Sequence, residues 1–498
     1  MPKAHRFPCV RIMDRSRTAF YLRHGVVLLA TLTTVALGQT HAPVAQGKAL
    51  LPDSLTVLMG ADATRHGSLK ESDMGPGKVG WMEPWHSSED SLTWTVDVPV
   101  SADYEVSVIV QGSGRGCSIE VQIGKQKLTG ACAETRWDRV RLDTIKLPAG
   151  AHSFTLRSVG QPPLNKFYSL EVVRPEVKNQ LAARADRGAA PTDWMVQAKY
   201  GVMVHWTSQT KPERGKPLPY CEAVRNFDVE KFAGVLDEMG AGYLVFTTSH
   251  AGFYFPGPNK VIDEILPGRT CSRDLVKDLA YALAKRNIKL ELYYHPGHDD
   301  MEWWRRTHFD DDKARFFDLW CRIIGQIGLQ YGPAIAGYWF DDALFTYYPF
   351  DAPWEKMRAS AKLGNPQRLI SFNSWIFPKV SDFYEVFAGE YDFSEPMIAG
   401  FGFLPVGGTG KFIGGRQAGL QGQITTIINE DWGHFKMDTP IGRPKYSATT
   451  LIAKIRDAAS RRNVPLLDVE IYQDGSISPE TRATFKAVRA AIKPIQGR

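Results

Sequence analysis

The chain has 498 residues, 43% of them hydrophobic and 23% charged, with 60 basic against 54 acidic side chains. That length exceeds one ordinary domain, and the composition is globular, which excludes a fibrous or disordered chain. No run approaches the ~20 apolar residues that a membrane span requires.

Residues 25–38, GVVLLATLTTVALG, form a short apolar run behind a basic flank and ahead of a polar stretch. This is the anatomy of a secretory signal, so residues 1–38 are expected to be removed and the protein to be secreted or periplasmic. The segment carries Lys3, Arg6, Arg11, Arg15, Arg17 and Arg23 against Asp14, and without it the net charge falls from +6 to +1. Nothing then points to nucleic acid as a partner. Cys117, Cys132, Cys221, Cys271 and Cys321 remain, an odd number, so complete internal pairing is excluded. Cys117 and Cys132 flank a short polar segment between predicted strands and can form a disulfide. No C-x-x-C spacing exists, and no structural zinc is expected.

Residues 51–177 read as short alternating strands. SLTWTVDVPV alternates Leu92, Trp94, Val96 and Val98; DYEVSVIV alternates Tyr104, Val106, Val108 and Val110; HSFTLRSV continues with Phe154 and Leu156. With GSGRG and LPAG turns between them, this predicts an antiparallel β-sandwich. Its style, LPAGAHSFTLRSVG above all, resembles the galactose-binding-like sandwiches that serve as carbohydrate-binding modules. Trp81 and Trp85 are either a sugar platform or core. Residues 178–192, KNQLAARADRGAAPT, read as a linker.

From 193 to 498 the periodicity changes. Apolar strands (YGVMVHW, GYLVFTTSH, IKLELYYH, IAGYWFDD, RLISFN, ITTIIN, VPLLDVE, and a weaker one near FYEVFAGEY) alternate with amphipathic helical stretches such as DVEKFAGVLDEMG and SATTLIAKIRDAASRRN. That repeat predicts a (β/α)8 TIM-type barrel rather than a doubly wound sheet, because no glycine-rich phosphate loop follows the first strand.

Chemistry in such a barrel sits at the C-terminal ends of the strands. Those ends hold His205 and Trp206, Ser249 and His250, Tyr293 to His295, Asp341 and Asp342, Asn373, Glu390, Asn429 and Glu430, and Asp468. Strand parity sets Gly337, Trp339 and Asp341 on the lumen face, with Asp342 a loop or capping residue. The same parity sets Glu291, Tyr293 and His295 on the polar inward face. A carboxylate fixed at a barrel mouth, with a second acid available, suits glycoside hydrolysis. HPGHDD, residues 295–300, has metal-ligand residue types, but the first strand lacks an H-x-H, so neither metal nor cofactor is expected.

Seven blocks, in order, carry a resemblance: KYGVMVHW, VEKFAGVLDEMGAGYLVFTTSHAGF, SRDLVKDLAYALAKRNIKLELYYH, YWFDD, GEYD, INEDWGH and VPLLDVEIYQDGSIS. Collinear over roughly residues 194–490, they resemble the signature blocks of the α-L-fucosidases of glycoside hydrolase family 29. The resemblance implies a retaining double displacement on terminal α-L-fucose of a glycan. It implies Asp341 as nucleophile, in agreement with strand parity, and Glu390 of GEYD as acid/base, with Glu385 and Glu395 as nearby alternatives. Sugar-binding positions carry over to His205, with Trp206 beside it, and to His250, Tyr293 and Trp339.

The chain departs from the family pattern at Thr207, Ser249, Ala251, Asp342, Ser374 and Gln423. Losing polar groups that clasp sugar hydroxyls is expected to relax or redirect specificity. A second function class, a carbohydrate-binding protein on a degenerate barrel, follows from the altered TSHAGF block.

Overall fold

The computed structural model describes residues 47–492, apart from 76, 88, 299, 342–348, 375 and 391–401. The signal-like segment 1–38, Asp342 and Glu395 lie outside the described residues. All the rest belong to one compact unit.

The N-terminal half is a sandwich of two sheets. One runs, in spatial order, Lys48–Ala49, Ser91–Val98, Gly150–Ser158, Ser118–Ile123 and Gln126–Ala131; the other Trp137–Leu147, Ala102–Gln111, Lys166–Val173, Met82–Glu83 and Lys70–Glu71. The alternating residues named from the sequence, such as Trp94, Val96, Val106, Val108 and Phe154, are buried between the sheets. The second sheet is covered on its other face too. Every residue from Tyr104 to Val110 is buried, because Ile109, Trp137 and Tyr168 pack into the core of the C-terminal half.

Trp85 is buried and donates its indole N–H to the Met82 carbonyl. Trp81 packs against Trp137, with Lys166 over its ring. Neither presents a bare sugar platform. The expected Cys117–Cys132 disulfide is not formed: both are buried thiols sharing a hydrogen bond. The structure instead pairs Cys221 with Cys271.

The stretch read as a linker is mostly helix. Helix α1, Pro175–Arg187, starts on a proline at its first turn and runs through Ala-rich sequence of high helix propensity. It braces the halves, with Lys178 on Glu105 and Arg184 3.1 Å from Glu355.

The C-terminal half is the expected barrel. Its parallel strands are β1 Gly201–Val204, β2 Tyr243–Ala251, β3 Lys289–His298, β4 Gly337–Phe340, β5 Leu369–Phe372, the broken β6 (Val386–Phe387 and Gly389–Glu390), β7 Gln423–Ile427 and β8 Val464–Asp468. The halves of β6 pair with β5 and β7 respectively, so the one-residue break at Ala388 closes the ring at eight staves. Around it lie α2 Val229–Met239, α3 Lys260–Ile265, α4 Leu275–Ala284, α5 Met301–Thr307, α6 Lys313–Tyr331, α7 Trp354–Ala361, α8 Ala448–Ser460 and α9 Pro479–Ala491. Asp228, Asp274, Asp300 and Asp312 cap helix N-termini by accepting from backbone N–H groups that have no intrahelical partner.

Strand parity sorts the barrel side chains as the period of two requires. Val204, Phe246, Leu292, Phe340 and Phe372 face the helices, while Met203, Val245, Tyr293, Trp339 and Leu466 fill the lumen. Candidate functional side chains at the strand ends therefore converge only if they share the lumen parity.

Candidate active site

Asp341 follows β4 directly, and its backbone N–H continues the ladder to the Tyr294 carbonyl at 3.1 Å. That extension fixes the side chain over the lumen, 8% exposed. The Tyr293 hydroxyl donates to its Oδ2. Asn373, just past β5, donates from Nδ2 to Asp341 Oδ1 at 2.8 Å. The same nitrogen donates to Glu390 Oε1 at 2.6 Å. One amide thus ties the two carboxylates together.

The rings below hold Tyr293 in place. Tyr293 stacks on Trp339 with centroids 5.3 Å apart and planes 13° from parallel. His205 meets Tyr293 edge-on at 5.0 Å and Trp432 at 5.1 Å. His250 lies 5.8 Å from His205 and 5.2 Å from His295. His205 Nδ1 is 2.9 Å from Asp468 Oδ1, with both residues buried. Burial pushes the Asp468 carboxyl up to about 6, opposed by the neighbouring His205. Further round the mouth, His434 Nδ1 sits 3.4 Å from Glu470, which also accepts from the backbone N–H groups of Glu430 and Asp431.

Glu390 is half-buried and lines a cavity of about 240 Å³ with Thr425, Thr426, Ile427, Trp432, Lys445 and Tyr446. Deeper in the lumen, burial pushes the Glu291 carboxyl up to about 8.

The structure brings together Asp341, Glu390, Tyr293, Trp339, His205 and His250. Trp206 does not join them. It has the opposite parity, packs against Phe227 and Phe246 under the helices, and donates its indole N–H to the Gln473 carbonyl. Its assignment to sugar binding is corrected to a packing role. Of the acids near Glu390, Glu385 is held by Lys362 at 2.7 Å and by the backbone N–H groups of Ala190 and Ile370, a structural set. Ser249, where the family pattern has a histidine, donates its hydroxyl to the His295 carbonyl and accepts from the His295 N–H. Within HPGHDD, Asp300 caps α5 and pairs with Arg269 at 2.7 Å, while His295 Nδ1 accepts from Gly297 N–H. Asn373 and Asp468, placed at strand ends by the sequence without a role, prove to be part of the site; they continue the lumen parity of Ser371 and Leu466.

Residues 219–492 match the family described as Alpha-L-fucosidase. The tissue alpha-L-fucosidase of Bos taurus is 28% identical over 158 residues, covering 25% of this chain and 32% of that protein. The Homo sapiens tissue alpha-L-fucosidase is 30% identical over 158 residues, again 25% of this chain and 32% of that one. The chain spans about a third of the length of the curated relatives it matches. Among solved structures, an alpha-L-fucosidase of Lactobacillus casei in complex with alpha-L-fucose product matches at a TM-score of 0.41 and 18% identity, over 60% of this chain and 97% of that one. An alpha-L-fucosidase of Bacteroides thetaiotaomicron matches at a TM-score of 0.44 and 17% identity, over 60% of this chain and 73% of that one.

Proposed function

The chain belongs to the α-L-fucosidase family, and from that premise we propose that it is an exported retaining exo-glycosidase that hydrolyses terminal α-L-fucosyl residues of glycans. Asp341 is the nucleophile and Glu390 the acid/base. The observation that carries this reading is the Asn373 amide shared by the two carboxylates. Its two hydrogen bonds laid end to end limit the bonded oxygens to roughly 5.4 Å apart. Retaining enzymes hold their carboxyl groups about 5–5.5 Å apart, and inverting ones ~6.5–9.5 Å, to admit a water between them.

In the first step an Asp341 oxygen attacks the anomeric carbon as Glu390 passes its proton to the departing glycosidic oxygen. In the second, Glu390 takes a proton from water, which attacks the same carbon and releases Asp341. Tyr293 and Asn373 hold Asp341 by one donor on each oxygen, which limits its rotation and keeps the attack geometry. The cavity beside Glu390 gives the leaving group a place on the side where protonation is needed. His205 and His250, on the other side of Tyr293, offer polar edges to sugar hydroxyls. Export is supported by the apolar run at residues 25–38 and by the Cys221–Cys271 disulfide, a bond favoured in oxidising compartments.

The test is hydrolysis of an aryl α-L-fucoside with the first-formed anomer followed by NMR. The α-anomer is expected first. Asp341→Ala is expected to lose roughly a thousandfold or more of kcat and to recover with azide as a β-fucosyl azide. Wild-type rates in Asp341→Ala would remove the assignment. Glycan binding without hydrolysis by the wild type would favour the degenerate-barrel reading.

A further inference from the structure

On the rim of the barrel, away from Asp341 and Glu390, the C-terminal turn of α5, the first turns of α6 and the end of α3 enclose a cavity of about 400 Å³. Arg305, Arg306, His308, Arg315 and Arg322 line it, with Ile265 and Leu319 as its apolar wall. Among the described lining residues Glu264 is the one carboxylate, and it is taken up by Arg322 at 3.1 Å and by Lys260 at 3.9 Å. Among the described residues, no carboxylate lies within ion-pair distance of Arg305, Arg306 or Arg315. Among the described residues, the acids of the adjoining turn do not line the cavity: Asp312 caps α6 and Asp311 holds His308 at 3.2 Å, while Asp310 lies beside the half-buried Lys313.

This concentration of guanidinium groups is local. Residues 39–498 carry a net charge of only +1, so the cluster is not a by-product of a basic protein. Like charges around one concavity repel each other, and an anion inside it relieves that repulsion. Guanidinium forks match the planar or tetrahedral oxygens of carboxylate and sulfate by paired N–H donors. Duplex nucleic acid would require cations spread along a track rather than gathered in one pocket.

The position is equally specific. Two residues separate the end of β3 from the start of α5, and Asp300 at the N-cap of α5 also accepts from Phe253 N–H at 2.8 Å, just past β2. The pocket therefore flanks the same end of the barrel as the strand-end carboxylates. We propose that it is a secondary binding site for an anionic glycan, holding sulfate-ester or carboxylate groups of the polymer whose terminal sugar is processed at the barrel mouth. The anion site stands on its own residues; only the choice of a glycan as the bearer rests on the glycosidase reading.

The experiment measures binding of the purified protein to dextran sulfate, polygalacturonate, neutral dextran and a DNA duplex at low salt, with aryl α-L-fucoside hydrolysis assayed in parallel. Dextran sulfate or polygalacturonate is expected to bind and neutral dextran not, and the tighter of the two anionic polymers names the group recognised. Arg305→Ser, Arg306→Ser and Arg315→Ser each weaken binding, and the triple variant weakens it by about tenfold or more, with aryl-fucoside kcat/KM unchanged. These side chains are exposed, so the variants are expected to fold, and an unchanged melting temperature verifies it. Unaltered polymer binding in the triple variant overturns the proposal, as does DNA binding as tight as that of the anionic glycans. Absence of fucosidase activity with arginine-dependent polymer binding intact would instead overturn the catalytic reading alone.

Discussion

With Nδ1 2.9 Å from Asp468 Oδ1, His205 has a carboxylate partner that favours a proton on that nitrogen and so fixes the orientation of the ring. Asp468→Asn offers an amide whose N–H₂ favours the other tautomer. The expected result is a kcat/KM lower by about 10- to 100-fold, the loss of one hydrogen bond to a charged group, with the melting temperature little changed. Nitrogen NMR shifts of the His205 ring would report the tautomer directly, and an unchanged ring with unchanged kinetics would refute the role. Glu291 makes a second residue-scale case. Burial raises its carboxyl to about 8, so from the unfolded value near ~4.3 up to that pH the native state holds more protons than the unfolded state. Stability therefore falls as pH rises through this window and levels off above it. Glu291→Gln removes the titration. Its melting temperature is expected to match wild type near pH 5 and to exceed it by several degrees near pH 8; a difference independent of pH would count against the buried acid as its source.

At the scale of the element, the barrel strands are legible because a period of two leaves few choices. Parity set Asp341, Tyr293 and His295 on the lumen, and the structure has Tyr293 donating to Asp341 there. The same test applied to β1 separates His205 from Trp206, since Val204 and Trp206 both face the helices; adjacency in sequence puts neighbouring residues of a strand on opposite faces. Asn373 was equally readable, two positions after Ser371. Other features rest on partners remote in sequence: Glu385 is defined by Lys362, Ala190 and Ile370, and no local pattern announces that set. Register also explains a glycine. Gly337 stands opposite Glu291 across β4 and β3, and a Cβ there would meet Glu291 Oε1 at 2.4 Å and Cδ at 2.7 Å. Gly337→Ala is expected to destabilise by about 1–3 kcal/mol through overpacking. Combining it with Glu291→Ala should recover part of that loss in a double-mutant cycle, and strict additivity would show that the clash is not with Glu291.

At the scale of the whole molecule, the sandwich differs from the tethered module that its sequence style resembles. Alternation exposed one face of its strands on paper, but the second sheet is buried on both faces, and the difference lies in what covers it. Trp137 packs on Phe377 with centroids 4.7 Å apart, and Tyr168 packs on Phe350 and Phe377 at 5.3 Å and 5.1 Å. Around this aromatic contact, Arg139 bonds Glu171 at 2.8 Å within the sandwich and the Lys379 carbonyl at 2.9 Å across the junction. Arg416 reaches back from the barrel to the Trp137 carbonyl at 2.9 Å. A junction built from a buried aromatic cluster rimmed by arginines couples the two halves as a core does, so they are expected to unfold together in one calorimetric transition. Trp137→Ala should lower stability by about 3–5 kcal/mol, the loss typical of a large buried aromatic. It should do so for both halves at once, because the ring is shared. Two resolved transitions, with the substitution moving only the one assigned to the sandwich, would mean that the aromatic contact seats the sandwich without stabilising the barrel. A single transition displaced as a whole would mean that the sandwich is part of the scaffold on which the β4, β5 and β6 carboxylate and amide positions are held.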